Sequence, residues 1–367
     1  MLKTKPAVFA AGNNYHIMVP VNVPTLMWVK VGNKCYYDAS NGIMRSEVKV
    51  HTMIVPMEDL DKEKKYTICV RKIIERKPYF TEVEDVVEYP FDFKPVSSNN
   101  VRAYHIADAH TMVEFPVRAA NTYGDIDFLI LNGDLPSYIT TEEDVFVVYE
   151  IAEKLTGGNI PIVFSRGNHD MRGVGAELFA QCTPCVDGKS YYTVRLGNIW
   201  MLILDCAEDK PDDHEAYGHT VCCHDFRLAQ TEFIKDVIKN AENEYDAEGV
   251  EHRMVIVHNP FTCKLESPFD IEEDIYKEWA KLLRENVKPR LLLCGHTHKL
   301  TVSEVGGEKD TYGQPCTMVV GSEPEIYDPK VSDKKSFKGA GLCFKEGEIE
   351  VTFTNCSGDV LGTHAIK

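Results

Sequence analysis

Residues 166–173 read RGNHDMRG, a stretch in which Asn168, His169 and Asp170 stand between two arginines. Carboxylate and imidazole groups also collect at the ends of other apolar runs. These further residues are Asp108, His110, Asp134, His258, His296 and His298. Such a mixed oxygen and nitrogen set suits divalent cations of the manganese, iron or zinc group. Each residue alone could equally be a polar cap at a strand end, but together they predict a metal site.

The spacing of these residues predicts how two cations would be held. Because side chains alternate along a strand, Asp108 and His110 lie on one side of their strand, and so do His296 and His298. Only a bridging carboxylate would hold two such charges close together, and Asp134 is the obvious candidate. Cations ~3.5–4 Å apart can clamp a hydroxide nucleophile and a phosphoryl oxygen for in-line attack. The residues therefore predict hydrolysis of a phosphate ester.

The elements that must position these residues begin at about residue 98. Apolar runs such as DIDFLILNGD and RMVIVHNP alternate with amphipathic patterns such as EEDIYKEWAKLLREN. This alternation predicts an α/β domain with largely buried strands over residues 98–367. Ligand sites in such domains lie beyond the carboxyl ends of the strands, so residues far apart in the sequence are expected to converge.

Residues 1–97 show a different pattern, of short β-type runs separated by turn residues and without helical periodicity. This pattern predicts a separate all-β sandwich domain of the fibronectin or immunoglobulin type. Leu60 and Tyr66 stand at a strand entrance, in a spacing that resembles the tyrosine corner of such sandwiches. The polar segment FKPVSSNN is expected to link the two domains.

The charge of the chain restricts its partners. Its 40 basic and 57 acidic residues give a net charge of −17, which should repel nucleic acid and anionic membranes. No apolar run approaches the ~20 residues of a membrane helix. The apolar stretch at residues 7–11 is shorter than the core of a signal peptide. We expect a cytoplasmic protein that acts on a small phosphate ester, and neither on nucleic acid nor at a membrane.

The 12 cysteines allow two interpretations. Cys69, Cys206 and Cys294 lie inside apolar runs and are expected to be small buried thiols in a reducing compartment. The CTPC segment at residues 182–185 has a zinc-ligand spacing, and together with CCH at residues 222–224 it could form a structural zinc site. The adjacent pair in CCH fits that spacing poorly, which favours free thiols.

The blocks DAH, GD, GNHD, a lone histidine and GHTH occur in this order, and over roughly residues 101–320 the chain resembles the calcineurin-like metallophosphoesterases. The resemblance implies an αββα sandwich of two mixed sheets flanked by helices. It implies one metal held by Asp108, His110, Asp134 and His298, and a second held by Asp134, Asn168, His258 and His296. It also implies that His169 protonates the leaving group and that Asp170 orients His169. The expected cofactors are thus two transition-metal ions of manganese, iron or zinc.

A β-sandwich before the catalytic domain is similar to the layout of purple acid phosphatases, but the motifs depart from theirs. Those enzymes replace the first histidine and place a tyrosine three positions after the second-block aspartate. Here His110 is present, residue 137 is Ser137, and Tyr138 comes four positions after Asp134, so no iron–tyrosinate centre is expected. GDLPSYIT also lacks the Asp-Arg-Gly of protein serine/threonine phosphatases. The chain is most similar to bacterial-type metallophosphoesterases with a fibronectin-like N-terminal domain.

Residues outside the blocks have two interpretations each. Arg172 follows the GNHD turn and could bind the substrate phosphate, although surface arginines are usually solvated or salt-bridged. Arg166 could instead point into the protein. The segment 204–226 is long, polar and rich in histidine and aspartate, so it is either a functional loop or an acidic surface loop. The resemblance places it over the site, with one of three residues near the substrate: Asp205, Tyr217 or His219.

The combination predicts a metal-dependent phosphoesterase in which a hydroxide between two metals attacks phosphorus and His169 is the general acid. Arg172 and His219 are the candidate substrate-binding residues. The motifs do not distinguish a monoester from a diester. The alternative is a non-catalytic metal- or phosphate-binding scaffold on the same fold, against which the intact pair of His169 and Asp170 argues.

Overall fold

The computed structural model describes residues 1–325 and 335–367. In these two ranges the α-helices are α1 (Met57–Glu63), α2 (Glu114–Tyr123), α3 (Phe146–Thr156), α4 (Cys223–Lys239) and α5 (Glu273–Leu282), the last extended by a π-helical turn (Leu283–Val287). Short 3₁₀ helices are Glu142–Val145, His169–Met171, Ala176–Gln181, Glu215–Tyr217 and Ala241–Asn243. The strands are β1 (Ala7–Ala11), β2 (Asn14–Pro20), β3 (Thr25–Val31), β4 (Lys34–Tyr37), β5 (Ala39–Ser40), β6 (Ile43–Met44), β7 (Val50–Pro56), β8 (Lys65–Lys77), β9 (Phe80–Val83), β10 (Val87–Asp92), β11 (Val101–Ile106), β12 (Phe128–Asn132), β13 (Ile162–Ser165), β14 (Tyr192–Leu196), β15 (Ile199–Ile203), β16 (His252–Ile256), β17 (Leu291–Cys294), β18 (Thr301–Ser303), β19 (Thr317–Val320), β20 (Glu323–Glu325), β21 (Ser336–Lys345), β22 (Glu348–Asn355) and β23 (Val360–Ile366).

Two mixed sheets share one hydrophobic core. The first has ten strands in the order β23-β22-β21-β11-β12-β13-β1-β2-β7, with β20 paired to β21, and the second has six in the order β14-β15-β16-β17-β19-β18. Ile130 and Val163 of the first sheet and Met201 and Ile256 of the second belong to the same buried cluster. Helices α2 and α3 cover the outer face of the first sheet, and α4 and α5 cover that of the second. The predicted αββα sandwich is therefore confirmed.

The burial of the strands explains this layering. β12 (FLILN) and β17 (LLLC) are buried at every position, as strands between two packed layers must be. In α5 the buried residues are Ile275, Tyr276, Trp279 and Ala280, whose spacing forms one helix face. As a result β11, β12 and β13 are parallel neighbours in the first sheet, and β15, β16 and β17 are parallel neighbours in the second.

The N-terminal region is mostly β-structure, as predicted, but its sandwich is not self-contained. Strands β1, β2 and β7 belong to the ten-stranded sheet, where β1 pairs in parallel with β13 and Phe9 lies opposite Ile162. The remaining layer is a five-stranded sheet, β10-β8-β3-β4 with β9 paired to β8. The β-structure predicted for residues 1–97 thus shares a sheet with the α/β layer, and β1 (AVFAA) is an interior strand buried at every position. A short apolar run does not reveal which strand it pairs with.

Tyr66 and the segment after β10 connect the five-stranded sheet to the rest of the molecule. The buried Tyr66 hydroxyl donates to the carbonyl oxygen of Gly158 at 2.7 Å, so the predicted tyrosine corner, in which it would bond nearby upstream backbone, is wrong. Lys94 donates its backbone N–H to the carbonyl oxygen of Asn159 at 2.8 Å. FKPVSSNN is therefore fixed to the α/β layer. The helix α1, which lies between β7 and β8, was also not predicted.

The cysteines are all free, and Cys69, Cys206 and Cys294 are buried as predicted. No cysteine belongs to a cluster that could hold a metal within residues 1–325 and 335–367. In the same part of the chain, no helix is long and apolar enough to cross a membrane.

Candidate metal centre

The predicted ligands stand just beyond the carboxyl ends of parallel strands. Asp108 and His110 follow β11, Asp134 follows β12, and Asn168 follows β13. On the second sheet, a lone histidine follows β16 and two histidines follow β17. These three are His258, His296 and His298. Since each trio of strands runs in parallel, the two sheets deliver their ligands to one edge of the sandwich.

The structure brings the seven predicted ligands into two adjoining groups. In the first group His298 Nε2 lies 3.3 Å from Asp108 Oδ1 and 3.0 Å from His110 Nε2. The second group has these close pairs: Asp134 Oδ2 with His258 Nε2 at 3.1 Å, and Asn168 Oδ1 with His296 Nδ1 at 3.0 Å.

Asp134 lies where the two groups meet. Its carboxylate can share a cation with His258 and His296 on one side, and with His110 and His169 on the other, since one ligand atom from each member of either set lies within 4.8 Å of the others. A bridging ligand must face two cation positions, and the carboxylate of Asp134 faces two candidate positions.

His258 provides a test of whether this set fits a metal. Its Nδ1 donates to the carbonyl oxygen of Asn132 at 2.6 Å, which leaves Nε2 as the free ring nitrogen. That nitrogen is buried without a well-formed hydrogen bond, 3.1 Å from Asp134 Oδ2 and 3.5 Å from Asp108 Oδ1. A buried imidazole fixed by a carbonyl at one nitrogen, with carboxylates around the other, is the usual arrangement of a metal-binding histidine. The residues present therefore fit a metal site.

The backbone at the ligands is strained. Positive φ angles, which residues other than glycine seldom adopt, occur at Asp108 (54°), His110 (43°), Asp134 (54°), His296 (70°) and His298 (52°). Each such residue costs of order 1–3 kcal/mol, and strain of this kind concentrates at functional sites. The fold therefore holds these side chains in directions that an ordinary strand end would not give them.

Gly167, in the GNHD turn, is required by close packing. A Cβ at residue 167 would lie 2.2 Å from Asp134 Oδ1 and 2.6 Å from its backbone nitrogen. Its φ angle is not positive, so the conformation of the turn does not require a glycine. A glycine is required because the loops that carry Asp134 and Asn168 approach each other closely at this residue.

The charges of the site are coupled. Burial lowers the pKa of His258, but Asp134 and Asp108 outweigh burial and raise that pKa to about 10. Burial raises the pKa of Asp134, but His258 outweighs burial and lowers it to about 2. Burial lowers the pKa of both His110 and His296 to about 4. These two imidazoles are thus neutral at pH 7, which is the form that binds metals.

Three interactions that the sequence did not reveal hold the ligands in place. The buried Ser322 donates its hydroxyl to Asp108 Oδ2, and the backbone N–H of His296 donates to both oxygens of Asp108 at 3.0 Å. Asn132 supplies the carbonyl that fixes His258. Ser322 and Asn132 belong to no recognisable block, so only the folded chain shows their roles.

Asp170 does not orient His169, contrary to what was expected. Its Oδ2 accepts backbone N–H groups of Gly167 at 2.8 Å and Asp134 at 3.2 Å, and the residue is buried. His169 is held instead by the carbonyl oxygen of Ser137, which accepts from Nδ1 at 2.8 Å. Asp170 therefore ties the second and third ligand loops together, because its carboxylate accepts a backbone N–H group from each loop.

Arg172 lies beside His169, as part of a charged layer at the edge of the site. Its Nη1 donates to His169 Nε2 at 2.8 Å. Its Nε and Nη2 donate to the two carboxylate oxygens of Glu208, each at 3.0 Å, and Nη2 also lies 3.3 Å from Asp209. The hydroxyl of Tyr217 donates to Glu208 at 3.0 Å. Glu208 and Asp209 were not predicted; their only signal is that they lie in a long acidic segment.

Three candidates from outside the blocks do not reach the ligands. Arg166 Nε donates to Asp205 Oδ2 at 2.6 Å, which makes both members of a largely buried ion pair. Asp205 also accepts from Ser190, is buried, and is absent from the residues that line the cleft at the ligands. His219 is exposed, and it is absent from the residues lining the cleft at the ligands, so its assignment to the substrate is not supported by the geometry. Both residues lie in a loop whose path the sequence does not define.

An open cleft of about 370 Å³ lies over the ligands. The metal-site residues on its wall are Asp134, Asn168, His169, His296 and His298. Its remaining wall is formed by Asp209, Leu265, Glu266, Phe269 and Thr297. A small ligand can therefore reach both the cluster and His169.

The profile of the calcineurin-like phosphoesterases matches residues 101–300, and the chain belongs to that family. No match was found among curated proteins. A purple acid phosphatase from yellow lupin (Lupinus luteus) seeds has a similar structure, with a TM-score of 0.59, 14% identity, and coverage of 99% of this chain and 74% of the lupin chain. This likeness supports the fold, including its N-terminal β region.

Two smaller proteins also align. Vacuolar protein sorting 29 from Cryptosporidium parvum has 12% identity and a TM-score of 0.37, over 73% of this chain and 99% of its own. The zinc-complexed protein of the same name from Entamoeba histolytica has 15% identity and a TM-score of 0.33, over 72% and 98% of the two chains.

Proposed function

We propose that the chain is a hydrolase that cleaves small phosphate esters with the help of two divalent metal ions. The observation that carries this proposal is the convergence of six strand-end ligands around a seventh, Asp134, beneath an open cleft. The family membership of residues 101–300 supports the same class of reaction.

The residues that would hold the metals form two sets that share Asp134. The first set is Asp108, His110, Asp134 and His298, and the second is Asp134, Asn168, His258 and His296. When bound, such ions polarise a phosphoryl oxygen and activate a water molecule. Manganese, iron and zinc all suit these oxygen and nitrogen donors.

His169 is the residue we assign to the leaving group. Its Nδ1–H is committed to Ser137, so Nε2 is the nitrogen that faces the site, 3.9 Å from Asp134 Oδ2. In the structure Nε2 accepts a hydrogen bond from Arg172, which excludes a proton at that position. His169 can act as an acid only when Arg172 turns away from it.

A phosphate oxygen offers Arg172 an alternative acceptor. Guanidinium groups bind phosphate through two parallel hydrogen bonds, and Nη1 is the nitrogen that now contacts His169. Donation of Nη1 to the substrate would release Nε2, which could then take up a proton from solvent and transfer it to the leaving oxygen. Binding of the substrate would thereby allow His169 to act as the general acid.

The experiment is hydrolysis of aryl phosphate monoesters and diesters by protein loaded with manganese, iron, zinc or cobalt, in comparison with Asp134→Asn and His169→Ala variants. Turnover of either ester that both variants lose would support the proposal. Absence of turnover of both esters with every metal would refute it and would favour a scaffold protein on this fold. Anomalous scattering from metal-loaded crystals tests the ligand assignment separately.

A further inference from the structure

Two apolar side chains, Leu265 and Phe269, form part of the cleft wall beside the metal ligands. Leu265 and Phe269 line the cleft over the metal site, and they also line a narrow recess of about 20 Å³ beside it. Behind them the recess is formed by buried rings, of which Phe261 and Tyr276 lie 5.9 Å apart. This wall lies in the connection between β16 and α5, outside every sequence block that carries the ligands.

Phe269 is tied to the metal site by a short chain of contacts. The Lys210 ammonium lies 5.0 Å from the centre of the Phe269 ring and 2.6 Å from Asp209 Oδ1. The other oxygen of Asp209 accepts from the amide of Asn168 at 3.2 Å. The ring is therefore held at the cleft by a cation–π contact, yet it is 36% exposed, so one part of it is free to contact a ligand.

The charges around this wall are negative or already paired. Asp209 and Glu266 line the cleft, and Glu266 forms no ion pair with any residue of the described ranges. The nearby cations, Lys210 and Arg172, are both bound to carboxylates. A leaving group with its own carboxylate or second phosphate would therefore meet repulsion here, because no lysine or arginine among the described residues lines the cleft.

We propose that the cleft selects phosphate esters whose leaving group is an uncharged aromatic alcohol, which packs on Phe269 and Leu265 while the phosphate lies over Asp134. This inference rests on the proposed hydrolase function and names the substrate class for the same cleft. Offset or edge-to-face packing on one exposed ring is worth enough to change a specificity constant by about tenfold.

The test compares metal-loaded wild type, Phe269→Ala and Phe269→Tyr on phenyl phosphate and glycerol 2-phosphate, or on their methyl diesters if only diesters are cleaved. Phe269→Ala is expected to lower kcat/KM for the phenyl ester about tenfold and to leave the glycerol ester nearly unchanged. Phe269→Tyr keeps the ring and should retain the preference. Tyr79→Ala, at a fully exposed aromatic residue of the five-stranded layer, is the matched control.

A second substrate tests the charge of the wall. A carboxylate on the phenyl ring is expected to lower kcat/KM several-fold relative to phenyl phosphate, and Glu266→Gln should recover part of that loss. Equal losses for both esters in Phe269→Ala, or no loss for either, would overturn the inference while leaving the hydrolase function intact. A wild-type protein inactive on every ester would overturn the proposed function and this inference together.

Discussion

The two sides of the site are built in different ways. The metal ligands stand at strand ends, and the backbone sets the directions of their side chains. Five of these ligands have positive φ angles, and Gly167 is required there by close packing. The layer of Arg172, Glu208 and Asp209 stands on loops, and the ion pairs of Arg172 with the two carboxylates are its main side-chain contacts. A site held by the backbone should tolerate changes around it, whereas a site held by charges should respond to the loss of any one of them.

The largest effect is expected from the shared carboxylate. Asp134→Asn keeps the size of the side chain but removes the charge between the two ligand groups. We expect a loss of kcat/KM of roughly a thousandfold, together with loss of bound metal, measured by elemental analysis of dialysed protein. The fold should persist by circular dichroism. Normal activity at normal metal content would contradict the assignment of Asp134 as the bridge.

The next prediction concerns pH in the metal-free protein. The pKa of His258 is raised to about 10, above its unfolded value of about 6.5. The stability that this group contributes is fully present below about pH 6.5 and is lost as the pH rises through about 10. Urea unfolding should show a loss on the order of a few kcal/mol between pH 7 and 10.5. His258→Gln should lack this part of the loss; an identical pH dependence in the variant would refute the coupling.

Metal should remove the same proton, because a cation and a proton compete for Nε2. Calorimetric titrations of metal at pH 7, in buffers of different ionisation enthalpy, should therefore reveal release of about one proton. His258→Gln should release correspondingly less. If the wild type and the variant released equal numbers of protons, the released proton would come from a group other than His258.

The charged layer should respond more weakly. Glu208→Gln removes the bidentate partner of Arg172 and should lower kcat by about tenfold, with a changed pH profile, since Arg172 also contacts His169. The matched control is Asp205→Asn, which breaks the similar pair with Arg166 away from the ligands. That variant should lose stability with little change in kcat. Equal effects of the two variants on kcat would show that the position of Arg172 has no special importance.

The smallest effect is expected far from the cleft. Tyr66→Phe removes the hydroxyl that bonds the carbonyl oxygen of Gly158, and an unpaired buried carbonyl costs about 1–2 kcal/mol. Chemical unfolding should show this loss while kcat/KM stays unchanged. A change in kcat/KM would instead indicate that the five-stranded layer influences the site.

The same contrast explains what the sequence could and could not predict. Asp108, Asp134 and His258 end apolar runs that must be buried strands, so their convergence follows from the topology of a parallel sheet. Asp209 and Phe269 lie in long connections whose paths depend on many weak contacts, so nothing local predicts that they reach the cleft. Asp170 belongs to a recognised block, yet its partners are two backbone N–H groups, and the His169 ring is held by the carbonyl oxygen of Ser137 instead.

The N-terminal boundary shows the same limit at the level of the fold. The strand pattern of residues 1–97 was recognised, and most of that region is β-structure. Strand periodicity defines which residues face a core, but not which sheet a strand joins. Only the pairing of Phe9 with Ile162 shows that β1 belongs to the ten-stranded sheet.

That pairing also sets the order in which the molecule can be assembled. During synthesis β1 emerges before its parallel neighbour β13, which emerges only after β11 and β12 have been made. Pairing between residues so far apart in the sequence makes folding slow, because the two ends of a long chain segment must come together before the contact forms. We expect nascent chains that end before residue 162 to leave β1 open to proteolysis, and longer chains to protect it.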